Sequence, residues 1–542
     1  MTDFRNKVVY QIYTKSFRDS NGDGLGDLRG VIEKLDYLRD LGVDYLWLTP
    51  FFKSPLNDNG YDISDYRAID PVFGTMEDME ELIAQADRRG LGLMFDMVFN
   101  HTSTEHAWFQ RALAGEKKYQ DYYIFREGAP DAPPTNWESK FGGSAWAYVP
   151  ELGKWYLHLF DKTQADLNWD NPAVREELKE VLRFWKAKGV KGFRFDVVNL
   201  ISKPAVFEDD RQGDGRRFYT DGPHIHEYLK ELTADAGLGD LVTVGEMSST
   251  SLDNCVRYTN PAEKELSMTF SFHHLKVDYK DGNKWELQPP DLGKLKDLLT
   301  TWQLEMQKAG GWNAVFWCNH DQPRAVSRFG DDGQYWKESA KMLATCVHLL
   351  RGTPYIFQGE ELGMTNAGYT SIGQYRDVES LNYYQIMLQS GKTEAEALEV
   401  LRQRSRDNGR TPMQWDKSAS AGFSGGTPWI LPPENYRTIN AEAELRDPDS
   451  ILHYYKRLIQ LRKEEPVISE GQIEFLFQEV PEVFAYRRFL GDEALFVVCN
   501  LTGHEVALDG AVWEDCEKVL GNYPDSAVGL RPYEAVVYKA RK

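Results

Sequence analysis

Three acidic residues close three short apolar runs: Asp196 in Gly192-Phe-Arg-Phe-Asp196, Glu246 in Val242-Thr-Val-Gly-Glu246, and Asp321 in Asn319-His-Asp321. Breaking an acetal needs a proton for the departing oxygen and a nucleophile or stabiliser for the anomeric carbon, and two carboxylates in different environments supply both at neutral pH. Asp196 and Glu246 are the leading pair. Arg194, two residues before Asp196 on a strand, shares its face, so its charge keeps that carboxylate ionised. Glu246 is expected in a drier position. Any single acid at a strand end is more often a cap or an ion-pair partner; three with matching neighbours point to glycosidic-bond chemistry.

The elements that must position these acids are parallel β/α units, in which strand ends assemble the site. Strand-like runs fall at 8–13, 44–52, 92–100, 191–198, 241–247, 265–272, 312–320 and 352–358, a count of eight. Between the first two, apolar residues at three-or-four spacing predict a helix over 27–41, stopped by Gly42. Thr75 is a candidate N-cap, and Asn171-Pro172 opens a further helix that runs to Gly189. The repeat breaks at 102–170, rich in aromatic residues, Gly and Pro, which marks an inserted lobe. After about 465 the pattern becomes short alternating strands. The expected organisation is a (β/α)8 TIM barrel over 1–101 and 171–465, the lobe at 102–170, and an antiparallel β-sandwich at 466–542.

A net charge of −21 argues against a nucleic-acid partner and suits a neutral substrate that needs no charge steering. The five cysteines are scattered, without a Cys-x-x-Cys spacing, and are expected to be reduced core residues. No apolar run has the length of a signal peptide or membrane span. The expectation is a cytoplasmic monomer acting on a small-molecule oligosaccharide.

Asp96-Met-Val-Phe-Asn-His101, Gly192-Phe-Arg-Phe-Asp196, Glu246 and Asn319-His320-Asp321 occur in the order of glycoside hydrolase family thirteen, the α-amylase family. The chain resembles that family over nearly its whole length, and most its oligo-1,6-glucosidases, isomaltases and dextran glucosidases. The resemblance implies that Asp196 is the nucleophile of a glucosyl-enzyme, Glu246 the acid and then base, and Asp321 the residue that distorts the ring and stabilises the transition state. By the same resemblance His101, Arg194 and His320 bind ring hydroxyls and position the carboxylates. Asp58 and Arg410 clamp the terminal glucose, Tyr61 stacks on it, and Phe141 adds an apolar wall. Val197 bears on linkage, since relatives that favour α-1,6 bonds carry Val there. Lys284 and Glu379 match residues on the acceptor side. The plain alternatives are a satisfied core group for each histidine, turn chemistry for the Asp58-Asn-Gly segment, a surface ion pair for Arg410 and barrel-core filling for Val197.

Asp19-Ser-Asn21-Gly-Asp23-Gly-Leu25-Gly-Asp27 alternates oxygen donors as a calcium loop does, with Gly30 where a full EF-hand has its bidentate Glu. One structural Ca2+ or Mg2+ is expected there, with no catalytic metal or organic cofactor; the alternative is a metal-free loop of Asx turns. Ala165, where relatives usually carry Pro, is expected to loosen the lobe's return, and Ser248 leaves the acceptor side less defined. The activity implied is a retaining exo-acting α-glucosidase on isomalto-oligosaccharides, with transfer to sugars at high substrate. A sucrose isomerase and an α-1,4-glucosidase are the alternatives within the family. A non-catalytic scaffold on this fold would have lost its carboxylates.

Overall fold

The computed structural model describes residues 4–508, 513, 515–525 and 529–540. Strands form where the sequence places its apolar runs: β1 (Val9–Ile12), β2 (Tyr45–Leu48), β3 (Gly92–Met97), β4 (Gly192–Phe195), β5 (Val242–Met247), β6 (Met268–Ser271), β7 (Ala314–Val315) and β8 (Thr353–Phe357). They belong to one sheet in the order β6-β5-β4-β3-β2-β1-β8-β7. The alternation of these strands with helices is that of a (β/α)8 barrel. Nearly every residue of β3, β4 and β8 is buried, so both faces are covered and the runs are continuously apolar rather than alternating.

The chain divides into two compact units, one built on Trp47–Gln85 and Gly92–Ser271, the other on Asp3–Leu46, Ala86–Leu91 and Phe272–Lys542. In the first unit β3, β4, β5 and β6 pair in parallel. The register sets Arg194 opposite Asp96 and Phe195 opposite Gly245. Asp196 and Glu246, the next residues on each strand, are therefore level with one another. A Cβ at Gly245, just before Glu246, would press on the side-chain ends of Met247 and Leu266, which would have to shift. Asn171 caps the helix Pro172–Ala187 by accepting the Ala173 amide at 3.0 Å, and Pro172 occupies the first turn. The stretch after β3 holds a three-stranded antiparallel sheet (Phe125–Glu127, Lys154–Leu157, Trp146–Val149) and a short pair, His101–Ser103 with Gln164–Asp166. Ala165, expected to loosen this return, is fully buried and pairs with Thr102.

In the second unit β1, β8 and β7 pair in parallel. The helix expected over 27–41 is two, Leu28–Glu33 and Leu35–Leu41, separated at Lys34, whose ψ of 5° interrupts the turn; Gly42 ends the second at φ 99°. Where a sandwich is expected at the C-terminus, the described residues form one five-stranded antiparallel sheet. Its strands are β9 (Gln472–Leu476), β10 (Val483–Leu490), β11 (Glu493–Asn500), β12 (Glu517–Gly521) and β13 (Ala535–Lys539), in the order β9-β10-β11-β13-β12. Tyr486 of β10 donates its hydroxyl to the carbonyl of Cys346 at 3.1 Å, which ties the sheet to the helix Trp336–His348. Cys255, Cys318, Cys346 and Cys499 are buried free thiols, and Cys516 is a half-buried one. Among the described residues no helix is long and apolar enough to cross a membrane.

Candidate active site

In the first unit, Arg194 is buried and gathers three carboxylates. Its Nη1 donates to Asp196 Oδ1 at 2.6 Å and to Asp96 Oδ1 at 2.7 Å, while Nη2 forms an ion pair with Glu246. The contact with Asp196 follows from the shared strand face, and the contact with Asp96 from the register. Burial opposes the guanidinium's charge, but Asp96 and Asp196 outweigh it and hold its pKa above the usual value. Asp96 is fully buried and also accepts from Trp47 Nε1 at 3.0 Å and from the Tyr61 hydroxyl at 2.9 Å. Burial raises its pKa to about 6, against the pull of Arg194. The side chains of Asp196 and Glu246 are 11% and 13% exposed, so Glu246 is not the drier of the two; what differs is the strand that carries each.

The same unit brings together Asp58, Tyr61 and His101. His101 Nε2 lies 3.1 Å from the carbonyl of Tyr61 and 3.3 Å from Gln164 Nε2, which also donates to Asp58 Oδ2 at 3.1 Å. Burial lowers the pKa of His101, which favours a neutral ring able to hydrogen-bond a hydroxyl. Phe141 packs edge-on against Phe160, which in turn covers His101. Val197 has φ 35°, a left-handed backbone that a β-branched residue rarely adopts, and is packed in an apolar cluster with Trp137, Trp146 and Leu200. Ser248, two residues beyond Glu246, accepts from Lys140 Nζ at 3.2 Å.

In the second unit, Asp321 Oδ1 accepts from Arg410 Nη2 at 2.7 Å and from Arg406 Nη1 at 3.3 Å, and its Oδ2 is 3.2 Å from His320 Nε2. Gln11 Nε2 fixes the other His320 nitrogen at 2.8 Å, and the ring of Tyr13 stacks on that imidazole. Behind Arg410 and Arg406 is buried Asp377; burial alone would raise its pKa, and the two arginines outweigh that and hold it well below the usual range. Lys284 Nζ donates to Glu379 Oε2 at 2.7 Å, and Arg406 Nε is 3.4 Å from that same oxygen. Lys284, Glu379, Arg410, His320 and Asp321 thus share one polar network.

Sequence reasoning missed Asp96, Gln164, Arg406 and Asp377. Asp96 opens a motif already singled out, and Arg406 precedes Arg410 by four residues, so both carried a signal. Asp377 and Gln164 become visible only through tertiary contacts.

Asp19, Asn21, Asp23 and Asp27 each accept backbone amides within their own loop, and Asp19 also accepts from Ser424 Oγ at 2.5 Å. Gly22 and Gly24 allow the wrap with φ of 85° and 95°. Gly30 has no room for a longer residue, since a Cβ would collide with the carbonyl of Arg18. The all-oxygen donor set, with the carbonyl of Leu25, suits a hard cation. Among the described residues no three His, Cys, Asp or Glu groups are arranged to hold a metal, so an ion here would rely on Asn21 and carbonyl oxygens as well.

Paired carboxylates on one guanidinium, on parallel strands of this fold, are the machinery of a glycoside hydrolase. The family described as Alpha amylase, catalytic domain, matches residues 11–471, and the chain belongs to the α-amylase family of glycoside hydrolases. It is 53% identical to trehalose-6-phosphate hydrolase of Bacillus subtilis (strain 168), over 99% of this chain and 98% of that one. It is 48% identical to oligo-1,6-glucosidase of Parageobacillus thermoglucosidasius, over 99% of each. The solved structure of Bacillus licheniformis trehalose-6-phosphate hydrolase superimposes with a TM-score of 0.96 at 54% identity, over 99% of this chain and 100% of that one.

Proposed function

We propose that the protein is a retaining, exo-acting α-glucosidase whose substrate is trehalose 6-phosphate. Asp196 attacks the anomeric carbon of the terminal glucose while Glu246 protonates the leaving oxygen; Glu246 then takes a proton from water, which releases glucose from the ester on Asp196. In the first unit Asp58 and Tyr61 bind the glucose, and the family resemblance assigns the stabilising role to Asp321, which Arg410 holds. Both carboxylates, Asp196 and Glu246, contact one guanidinium at the ends of neighbouring strands, which supports the close-set pair that a retaining mechanism uses. The observation that carries the substrate is whole-length identity above one half to relatives named for that activity. Lys140, bonded to Ser248 just past the acid/base, provides a cation for a phosphate on the acceptor sugar. The acidic bulk does not forbid this, because beyond a Debye length of about 8 Å it is screened.

A second reading, hydrolysis of α-1,6 bonds in isomalto-oligosaccharides with transfer to sugars at high substrate, is favoured by Val197 and by the relative at 48% identity. Initial rates on trehalose 6-phosphate, isomaltose, maltose and sucrose separate the readings. A kcat/KM at least a hundredfold higher on trehalose 6-phosphate than on isomaltose is expected, and the reverse ranking selects the second. Isomaltulose made from sucrose would indicate an isomerase. Lys140→Ala is expected to cost trehalose 6-phosphate turnover about 10- to 100-fold, the worth of a charged hydrogen bond, and to spare isomaltose.

Loop 19–27 is proposed to take one structural Ca2+ or Mg2+ through Asp19, Asn21, Asp23, Asp27 and the carbonyl of Leu25. A chelator should lower the melting temperature by several degrees, and an unchanged melting curve would count against the ion.

A further inference from the structure

The buried cation Arg406 is shared by three carboxylates, Asp377, Asp321 and Glu379. Its Nε and Nη2 donate to Asp377 Oδ1 at 3.0 and 2.6 Å, its Nη1 reaches Asp321 Oδ1 at 3.3 Å, and its Nε is 3.4 Å from Glu379 Oε2. Glu379 is in turn the partner of Lys284 at 2.7 Å. Arg406 is only about one-tenth exposed, so these interactions are weakly screened and the guanidinium cannot turn toward one carboxylate without leaving another.

We propose that Arg406 is a positioning residue that sets the Asp321 carboxylate and couples it to the Glu379–Lys284 pair. Arg410 makes the shorter contact with Asp321, but it is anchored to the backbone carbonyl of His320 at 2.9 Å and so fixes the carboxylate from one side only. Arg406 supplies the other side, and its orientation depends on Glu379. Neutralising Glu379 leaves Asp377 as the stronger attractor, draws the guanidinium toward it, and lengthens the contact with Asp321. Events at Glu379 and Lys284 therefore change how well Asp321 meets the positive ring in the transition state.

The inference rests on the glucosidase reading and holds for either substrate. The test uses α-glucosyl fluoride, whose leaving group brings no acceptor sugar, so any effect of Glu379 must travel through the protein. Glu379→Gln is expected to lower kcat at least threefold on this substrate. Arg406→Lys should lower it 10- to 50-fold with KM changed less than threefold, because lysine keeps the charge and loses the fork. The double variant should lose less than the product of the two single losses, as coupled groups do. Wild-type kcat in both single variants, or losses that multiply, would overturn the coupling. Should Arg406→Lys fail to fold, Glu379→Gln alone decides by the same threefold criterion. Absence of any turnover of the fluoride by the wild-type protein would instead remove the glucosidase reading itself.

Discussion

Arg194 concentrates the electrostatics of the first unit: one guanidinium, 1% exposed, faces Asp96, Asp196 and Glu246. Asp96 is fully buried, and that burial, with a smaller push from the neighbouring Asp196 charge, raises its carboxyl to about 6 against the pull of Arg194. Removing the cation leaves buried carboxylates uncompensated. Arg194→Met is expected to destabilise the protein by about 3–5 kcal/mol, readable as a lower urea midpoint. A midpoint equal to that of the wild type would mean that the carboxylates find other partners. Arg194 and Asp196 were legible in the sequence because a period of two places them on one face. The Arg194–Asp96 contact was not, because register between strands about a hundred residues apart is a tertiary property.

At the scale of elements, the strands were readable from apolar runs bounded by polar residues, and helix starts from capping chemistry. Asn171 does accept the Ala173 amide, so Asn171→Ala is expected to cost about 1 kcal/mol, visible as a small drop in thermal midpoint without loss of fold. An unchanged midpoint would show that Pro172 alone fixes that end. The break at Lys34 was not legible, because the apolar spacing of 27–41 continues unbroken through a residue whose backbone leaves the helix. Val197 is the opposite case: its type was noticed, but its left-handed φ is imposed by the chain leaving β4 and by its place in the cluster of Trp137 and Trp146.

For the whole molecule, buried neutral histidines set an acid limit. Burial lowers His106 to about 4 and His348 to about 3. His106 Nδ1 accepts the Trp108 amide at 3.1 Å, a bond that protonation would abolish. Both groups bind protons more readily unfolded, where histidine titrates near pH 6.5, so their stability contribution is complete above that pH and is lost as pH falls toward 4 and then 3. The urea midpoint should be clearly lower at pH 5 than at pH 7, and His106→Asn, which keeps a capping acceptor, should narrow the difference. Equal midpoints for the wild type at both pH values would contradict the neutral assignment.

On the proposed reading, Asp196 and Glu246, paired through Arg194, act by double displacement at the anomeric carbon. The direct measurement is proton NMR of the first glucose released from α-glucosyl fluoride, recorded before mutarotation. α-Glucose is the expected first product; β-glucose would show that a single inverting displacement is the reaction and overturn the assignment of Asp196 as nucleophile.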